Sequence, residues 1–311
     1  MNLIEFNTLY PDETSCKAGW KAIREKEGIV CKKCEGQSHY WKKDKECFEC
    51  KSCGFRTSLR SGTVMENSHL PFRYWLLAMH LMTSTKKSIS ALEMQRQLGH
   101  KFYEPIWEMM HKLRVMMGKR DDEYVLEDTV ELDEGFFEQA NSIQINELTS
   151  KTEDKKRGRG SQKQAKVLVM TSTTPVNEYD KHQKPSKFKF VKMKVMEDLK
   201  ARTIDKTVED HISAQATVKT DGFKSYTHIK DIVAQHQQHI VPPKKASTIL
   251  PWVHTMISNA KRTFAGIHHM MKVEYMQNYL NEFCYKVNRR YFTQKLFDRL
   301  IIACVSEPWY K

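Results

Sequence analysis

The sequence predicts a multi-domain protein of mixed α+β and α/β class. Three observations carry that expectation. Five of the eight cysteines fall between Cys31 and Cys53. From Leu70 to about Lys119, apolar residues recur at helical spacing. From about Tyr124 onward, short apolar strands alternate with helices. The expected organisation is an N-terminal segment at 1–24, a cysteine-rich module at 25–65, a helical domain at 66–121, a β/α domain at 122–292 and a tail at 293–311. With 311 residues and 40% hydrophobic content the chain can bury real cores, which excludes wholesale disorder.

The formal net charge is +13 and the pI about 9.2. A polyanionic partner follows, with nucleic acid ahead of an acidic membrane; a plain basic enzyme is the alternative. No run of about 18 apolar residues offers a transmembrane helix. The first twenty residues carry acids early and lack a long apolar stretch, so a secretory signal is not expected. Eight cysteines without an export signal suit a reducing compartment. A cytoplasmic, nucleoid-associated protein is expected.

The cysteine-rich stretch is basic and poor in aliphatic residues, so it needs a staple other than a core. Cys31-Lys-Lys-Cys34 is followed after fifteen residues by Cys50-Lys-Ser-Cys53. Two such knuckles place four thiolates for a tetrahedral structural Zn²⁺, the arrangement of a zinc ribbon. Cys47 forms a competing CxxC with Cys50, but Gly54 after Cys53 favours the second knuckle. Lysines around the knuckles suit DNA contact, and protein contact is the other use.

Residues 72–119 read as three helices with a short polar one in the middle, a helix-turn-helix-like arrangement. Ser90 is the expected N-cap of the middle helix, with Glu93 three residues on and Gly99 as the stop. The Trp75, Met79, Met82, Trp107 and Met110 stripe is core. DNA contact falls to the polar residues Lys86, Lys87, Ser88, Gln95 and Arg96.

In the β/α domain, strands are expected at 125–132, 166–171, 187–195 and 216–220, and helices at 197–214, 252–264 and 275–290. The stretch 151–166 holds seven Lys/Arg against two acids and reads as part of a basic insertion at 149–166. Val130-Glu-Leu-Asp133-Glu134 puts an acid at the end of an apolar strand, and Val218-Lys-Thr-Asp221-Gly222 repeats this 88 residues later. Alone, either aspartate is an ordinary turn residue. Side by side in one sheet, the pair would hold Mg²⁺ (or Mn²⁺) for two-metal phosphoryl transfer.

The order of these modules resembles prokaryotic insertion-sequence transposases of the DDE class, specifically the ISXO-like group with an N-terminal zinc ribbon. The stretches that carry the resemblance are 50–63, Val130–Glu134 and Thr220–Tyr226. The most specific are His254-Thr-Met-Ile-Ser-Asn-Ala-Lys261 with Gly266-Ile-His-His269, and 279–290, ending Asn288-Arg-Arg290. The resemblance spans about residues 25–292. It implies an RNase-H-like mixed-sheet catalytic core with flanking helices. It also implies Mg²⁺-dependent cutting at element ends and strand transfer into target DNA. The partners it implies are double-stranded DNA, both terminal inverted repeats and target, and a homodimer or larger assembly.

In that class a helix carries a third acid, with Lys seven residues later. Here no acid lies between Pro251 and Gly266. His254 lies seven residues before Lys261, about 20° away on a helical wheel. Asn259 is 38 residues past Asp221 but about 160° from Lys261. Glu282, in the neighbouring motif, is the third candidate. Lys261 is the expected phosphate contact. His268, His269, Asn288, Arg289 and Arg290 are expected near this helix, with the basic pairs as phosphate clamps.

Three functions compete. The first is a transposase acting through Asp133, Asp221 and His254 or Asn259. The second is a DNA-binding regulator, or an inactive copy, with a decayed catalytic site. The third is a structure-specific nuclease. Acids aimed at a phosphate backbone would repel it without a metal, which disfavours the regulator.

Overall fold

The computed structural model describes residues 1–138, 164–176, 184, 186–240, 246–268, 271–292 and 295–310. It divides into two compact units, 1–120 with 289–311, and 121–288. Most of the expected insertion at 149–166, and His269, lie outside the described residues; 164–166 already belong to a strand.

In the first unit, residues 1–24, expected only as a segment, form helices α1 (Leu3–Leu9) and α2 (Glu13–Glu27). Asn2 and Glu5 close a reciprocal capping box on α1, and Asp12 caps α2. Strands β1 (His39–Lys42), β2 (Cys47–Cys50) and β3 (Arg56–Ser58) form an antiparallel sheet in the order β1-β2-β3. Helices α3 (Phe72–Ser84), α4 (Ala91–Leu98) and α5 (Glu104–Asp122) follow, and Ser90 caps α4 as its sequence position predicts. The tail at 293–311 is also structured: helix α10 (Lys295–Ser306) packs against α2 and α3. Phe297 meets Phe6 edge-on at 6.0 Å, and His80 stacks on Phe6 at 5.0 Å. These partners are far apart in sequence, which is why local pattern did not join them.

Helix α3 begins after Pro71, which offers no capping side chain. Its first two amides, Phe72 and Arg73, instead donate to the two carboxylate oxygens of Glu13 at 2.8 and 3.0 Å. A carboxylate at a helix N-terminus satisfies orphan donors and opposes the positive end of the dipole.

The second unit is built on a five-stranded mixed sheet. Strands β4 (Thr129–Glu138), β5 (Gln164–Pro175), β6 (Ser186–Met196), β7 (Thr217–Asp221) and β8 (Gln235–His239) lie in the order β6-β5-β4-β7-β8. β4, β5 and β6 are antiparallel, whereas β7 runs parallel to β4 and β8 parallel to β7. Helix α6 (Ala201–His211) and a 3-10 helix at Lys224–Asp231 cover one face. Helices α8 (Pro251–Ile267) and α9 (Val273–Asn288) cover the other, with a single turn α7 (Ala246–Ile249) before α8. Alternation decides the faces: Val167 and Val169 face α8 and α9, whereas Leu168 and Met170 face α6. On the outer strand β6, Gln277 bonds Val195 N–H and Met193 C=O, and Asn288 bonds Val191 N–H and C=O. These amides occupy backbone groups that an edge strand would leave open.

Glu13→Ala is expected to lower the unfolding free energy of the first unit by about 1–2 kcal/mol in a denaturant titration. Glu13→Gln keeps an acceptor and is expected to lose less.

Candidate active site and metal centre

The four thiols chosen by the CxxC spacing are brought together. Cys31 Sγ lies 3.6 Å from Cys53 Sγ, and Cys34 Sγ 3.6 Å from Cys50 Sγ. The four donor atoms all lie within 4.8 Å of one another. Thiolates on a tetrahedral zinc at about 2.3 Å stand about 3.8 Å apart, so the set fits that ion. Cys47 lies on β2 and is not part of the cluster. Backbone N–H groups of Cys53 and Ser52 outweigh burial and hold the Cys50 thiol down at about 6. A thiol already inclined to ionise is a ready metal ligand.

In the second unit the pairing of β4 with β7 sets the site. Thr129 lies opposite Thr217, Val130 opposite Val218 and Glu131 opposite Lys219, a constant offset of 88. Carrying the offset two residues on brings Asp133 level with Asp221. Val130 and Val218 both face the α6 layer, so Glu131, Asp133 and Asp221 face α8. The two carboxylates therefore share one face of the sheet. Asp221 ends β7, whereas Asp133 lies mid-strand, because β4 stays paired with β5 as far as Glu138, beyond the strand end expected from the sequence. Asp133 Oδ1 accepts the Glu134 N–H at 2.8 Å, and Asp221 Oδ1 accepts the Phe223 N–H at 2.9 Å, a turn closed by its own side chain.

Helix α8 brings its residues to this row. His254 Nδ1 lies 3.6 Å from Asp133 Oδ2. Lys261, one stripe along the same helix face, is exposed, with its ammonium 5.8 Å from the Phe137 ring centroid, further along β4. Asn259 turns elsewhere, its Oδ1 accepting from Arg262 at 2.7 Å. Glu282 is buried on α9, the helix over β6, and pairs with Lys286 at 3.7 Å. Of the three candidates for the third position, His254 is placed beside Asp133.

The docking of α8 depends on a residue that motif reading passed over. Leu250 at the N-cap has no acceptor, and Pro251 has no N–H to satisfy. The next two amides, Trp252 and Val253, donate to Glu131 Oε2 at 2.7 and 2.9 Å. Glu131 is 3% exposed, and burial pushes its carboxyl pKa up against the pull of those two amides and Lys184. Lys184 in turn donates to Pro251 C=O at 2.7 Å and sits over the Trp252 ring. Gly135 completes the fit: a Cβ there would stand 2.8 Å from Phe137 and 3.4 Å from Ile257 of α8. The available signal was the spacing of Glu131, Asp133 and Gly135, alternate residues on one strand face. Beneath the row, on the other face, Tyr226 is buried; burial and then the charges of Glu134 and Asp133 hold its phenol neutral.

The expected DNA contacts are mixed in accessibility. Lys86, Lys87 and Arg96 are exposed and Ser88 half-buried. Gln95 donates its amide to His100 and Lys101 C=O, inside the α4–α5 turn. Arg290 is exposed and stacks on Tyr291 at 4.7 Å, whereas Arg289 is buried. His268 packs against Tyr279 of α9, ring centroids 4.4 Å apart and tilted by 50°. Asn288 is engaged with β6, as described above.

Comparison with known proteins agrees with this geometry in placing the chain among insertion-sequence transposases. A family profile described as an ISXO2-like transposase domain matches residues 125–288, just over half of the chain, and the chain belongs to that family. It is also 24% identical over 224 residues, 70% of each chain, to an uncharacterised protein in transposable element ISH50 of Halobacterium salinarum. No solved structure matches the chain. Among the described residues, no helix is long and apolar enough to cross a membrane.

Metal analysis of purified protein is expected to find about one zinc per chain. Cys50→Ser is expected to lose it and Cys47→Ser to keep it. Glu131→Ala is expected to speed amide hydrogen exchange at Trp252 and Val253 by tenfold or more, about the 1–2 kcal/mol of a lost cap. Glu131→Gln is expected to fall between.

Proposed function

We propose that this protein is a transposase that binds the ends of its insertion sequence and catalyses metal-dependent phosphodiester cleavage and strand transfer. One observation supports the reading: β4 and β7 pair in parallel with an offset of 88, and two residues past the last pair each strand carries an aspartate, Asp133 and Asp221, on the same face. The mixed five-stranded sheet with helices on both faces supports an RNase-H-like core.

The donor set fits Mg²⁺ or Mn²⁺. Two carboxylates at neighbouring strand ends suit a hard cation that keeps waters and takes further oxygens from substrate phosphates. Asp133 and Asp221 would hold the ions, with His254 beside Asp133. When bound, such ions make a water or 3′-hydroxyl nucleophilic and offset the charge developing on phosphate. The chain's own groups supply the rest. Glu131 holds α8 so that His254 stays against Asp133. Lys261 stands exposed along the same helix face, able to take a phosphate oxygen of the DNA strand. Asn259, kept as a neutral oxygen donor on the same helix, would have to turn its amide from Arg262 to reach the site. Exposed Lys86, Lys87 and Arg96, with Arg290, offer phosphate contacts that orient the duplex. The zinc ribbon and helices α3 to α5 would read the element ends. Two ends must be processed together, so a dimer or larger assembly is part of this reading.

Duplexes ending in the element's own terminal inverted repeats test it. Wild type with Mg²⁺ or Mn²⁺ is expected to cleave them. Asp221→Ala is expected to reduce cleavage by at least roughly 10²–10³-fold, the scale of losing one transition-state charge stabiliser, while still binding the ends. Identical products from the two proteins would refute the enzyme reading. End binding that survives zinc removal would refute the role given to the ribbon.

A further inference from the structure

The row that carries Asp133 and Asp221 continues one strand further. β8 pairs parallel with β7, and Asp221 lies opposite His239. Residues paired across parallel strands present their side chains on the same face. His239, Asp221 and Asp133 therefore lie on one face of the sheet, the face that α8 covers over β4 and β5. The other histidine of β8 confirms the alternation: His236 faces away, with Nε2 2.9 Å from Thr220 Oγ1. Just past the row, a Cβ on Gly222 would stand 3.2 Å from Ile240, so the two strands stay in close register where the aspartate ends β7.

His254 stands 3.6 Å from Asp133, and a second histidine, His239, occupies the strand position paired with Asp221. His239 is half-buried, at the end of its strand. We propose that His239 is a donor of the active site, and that the set of two carboxylates and two imidazoles selects a first-row transition ion such as Mn²⁺ over Mg²⁺. The proposal rests on the reading of Asp133 and Asp221 as metal ligands. Its physical basis is the chemistry of the donors. Mg²⁺ is hard, prefers oxygen and gives up water reluctantly. An imidazole nitrogen is a borderline donor that transition ions accept more readily. The sequence supplies no third acid on α8, so the site lacks the extra negative charge that would tighten Mg²⁺. Neutral nitrogen donors on both flanks compensate with softer ligation and add no charge.

Mn²⁺ binding to the full-length, zinc-loaded protein tests this, read by loss of the free-ion electron paramagnetic resonance signal and by competition with Mg²⁺. Wild type is expected to prefer Mn²⁺ by about tenfold or more. His239→Ala is expected to weaken Mn²⁺ by roughly 10–100-fold and to change Mg²⁺ by about twofold or less. His239→Gln, a polar replacement on an edge strand, repeats the measurement, with thermal unfolding as the check on folding. Asp221→Ala is the control. If Asp221→Ala weakens Mn²⁺ while both His239 variants bind as wild type does, His239 is not a donor and the carboxylate pair stands. If Asp221→Ala also binds as wild type does, the carboxylate pair is wrong and the His239 proposal falls with it.

Discussion

A buried carboxylate holds the second unit's functional face together. Glu131 sits on β4 and receives the two amides that open α8. Removing it would leave those donors buried and unpaired, at about 1–3 kcal/mol for each group. More than stability depends on it. Asp133 is two residues along the same strand face, and His254 is one residue beyond the second capped amide. One side chain therefore ties the strand that bears the acid to the helix that bears the histidine. The first unit uses the same device, where Glu13 on α2 caps α3 after Pro71. In both places a helix with no cap of its own is pinned by an acid from another element.

The net charge of +13 is the average of two different environments. Lysines and arginines lie at the surface of the helical module and on the solvent side of α8, suited to a phosphate backbone. Asp133, Asp221, Glu131 and Glu134 lie along two adjacent strands. Glu131 accepts from two amides and Glu134 lies by the buried phenol of Tyr226. Asp133 and Asp221, on the face turned toward α8, are the pair proposed to hold a metal.

Much of the site was legible before any coordinates. The four zinc-type cysteines follow from spacing alone, because a CxxC turn fixes where its two sulfurs point. The strand alternation around the two aspartates was legible too, but β4 runs on past Asp133 to Glu138, because its pairing with β5 extends beyond the apolar run. The wheel angle between His254 and Lys261 anticipated one shared helix face, and the contacts with Asp133 and Phe137 lie on that face. Less legible were residues whose neighbours are distant in sequence. Glu131 stands 121 residues before Trp252, and the glutamate in VELDE carries no local mark of a helix cap. The helices at 1–24 and 295–306 were missed for the same reason: their apolar faces meet one another and α3.

The sequence by itself determined the local elements, the cysteine cluster and which residue types were available for chemistry. Those depend on short-range geometry: turn spacing, strand alternation and helix periodicity. Only the tertiary structure decided which of these residues meet. Register between β4, β7 and β8 aligns Asp133, Asp221 and His239, and hydrogen bonding along a strand pair extends far beyond any sequence window. His254 reaches within 3.6 Å of Asp133 from the helix whose first amides Glu131 caps. A helix end has unsatisfied donors wherever it falls, but only the folded chain determines which acid reaches them.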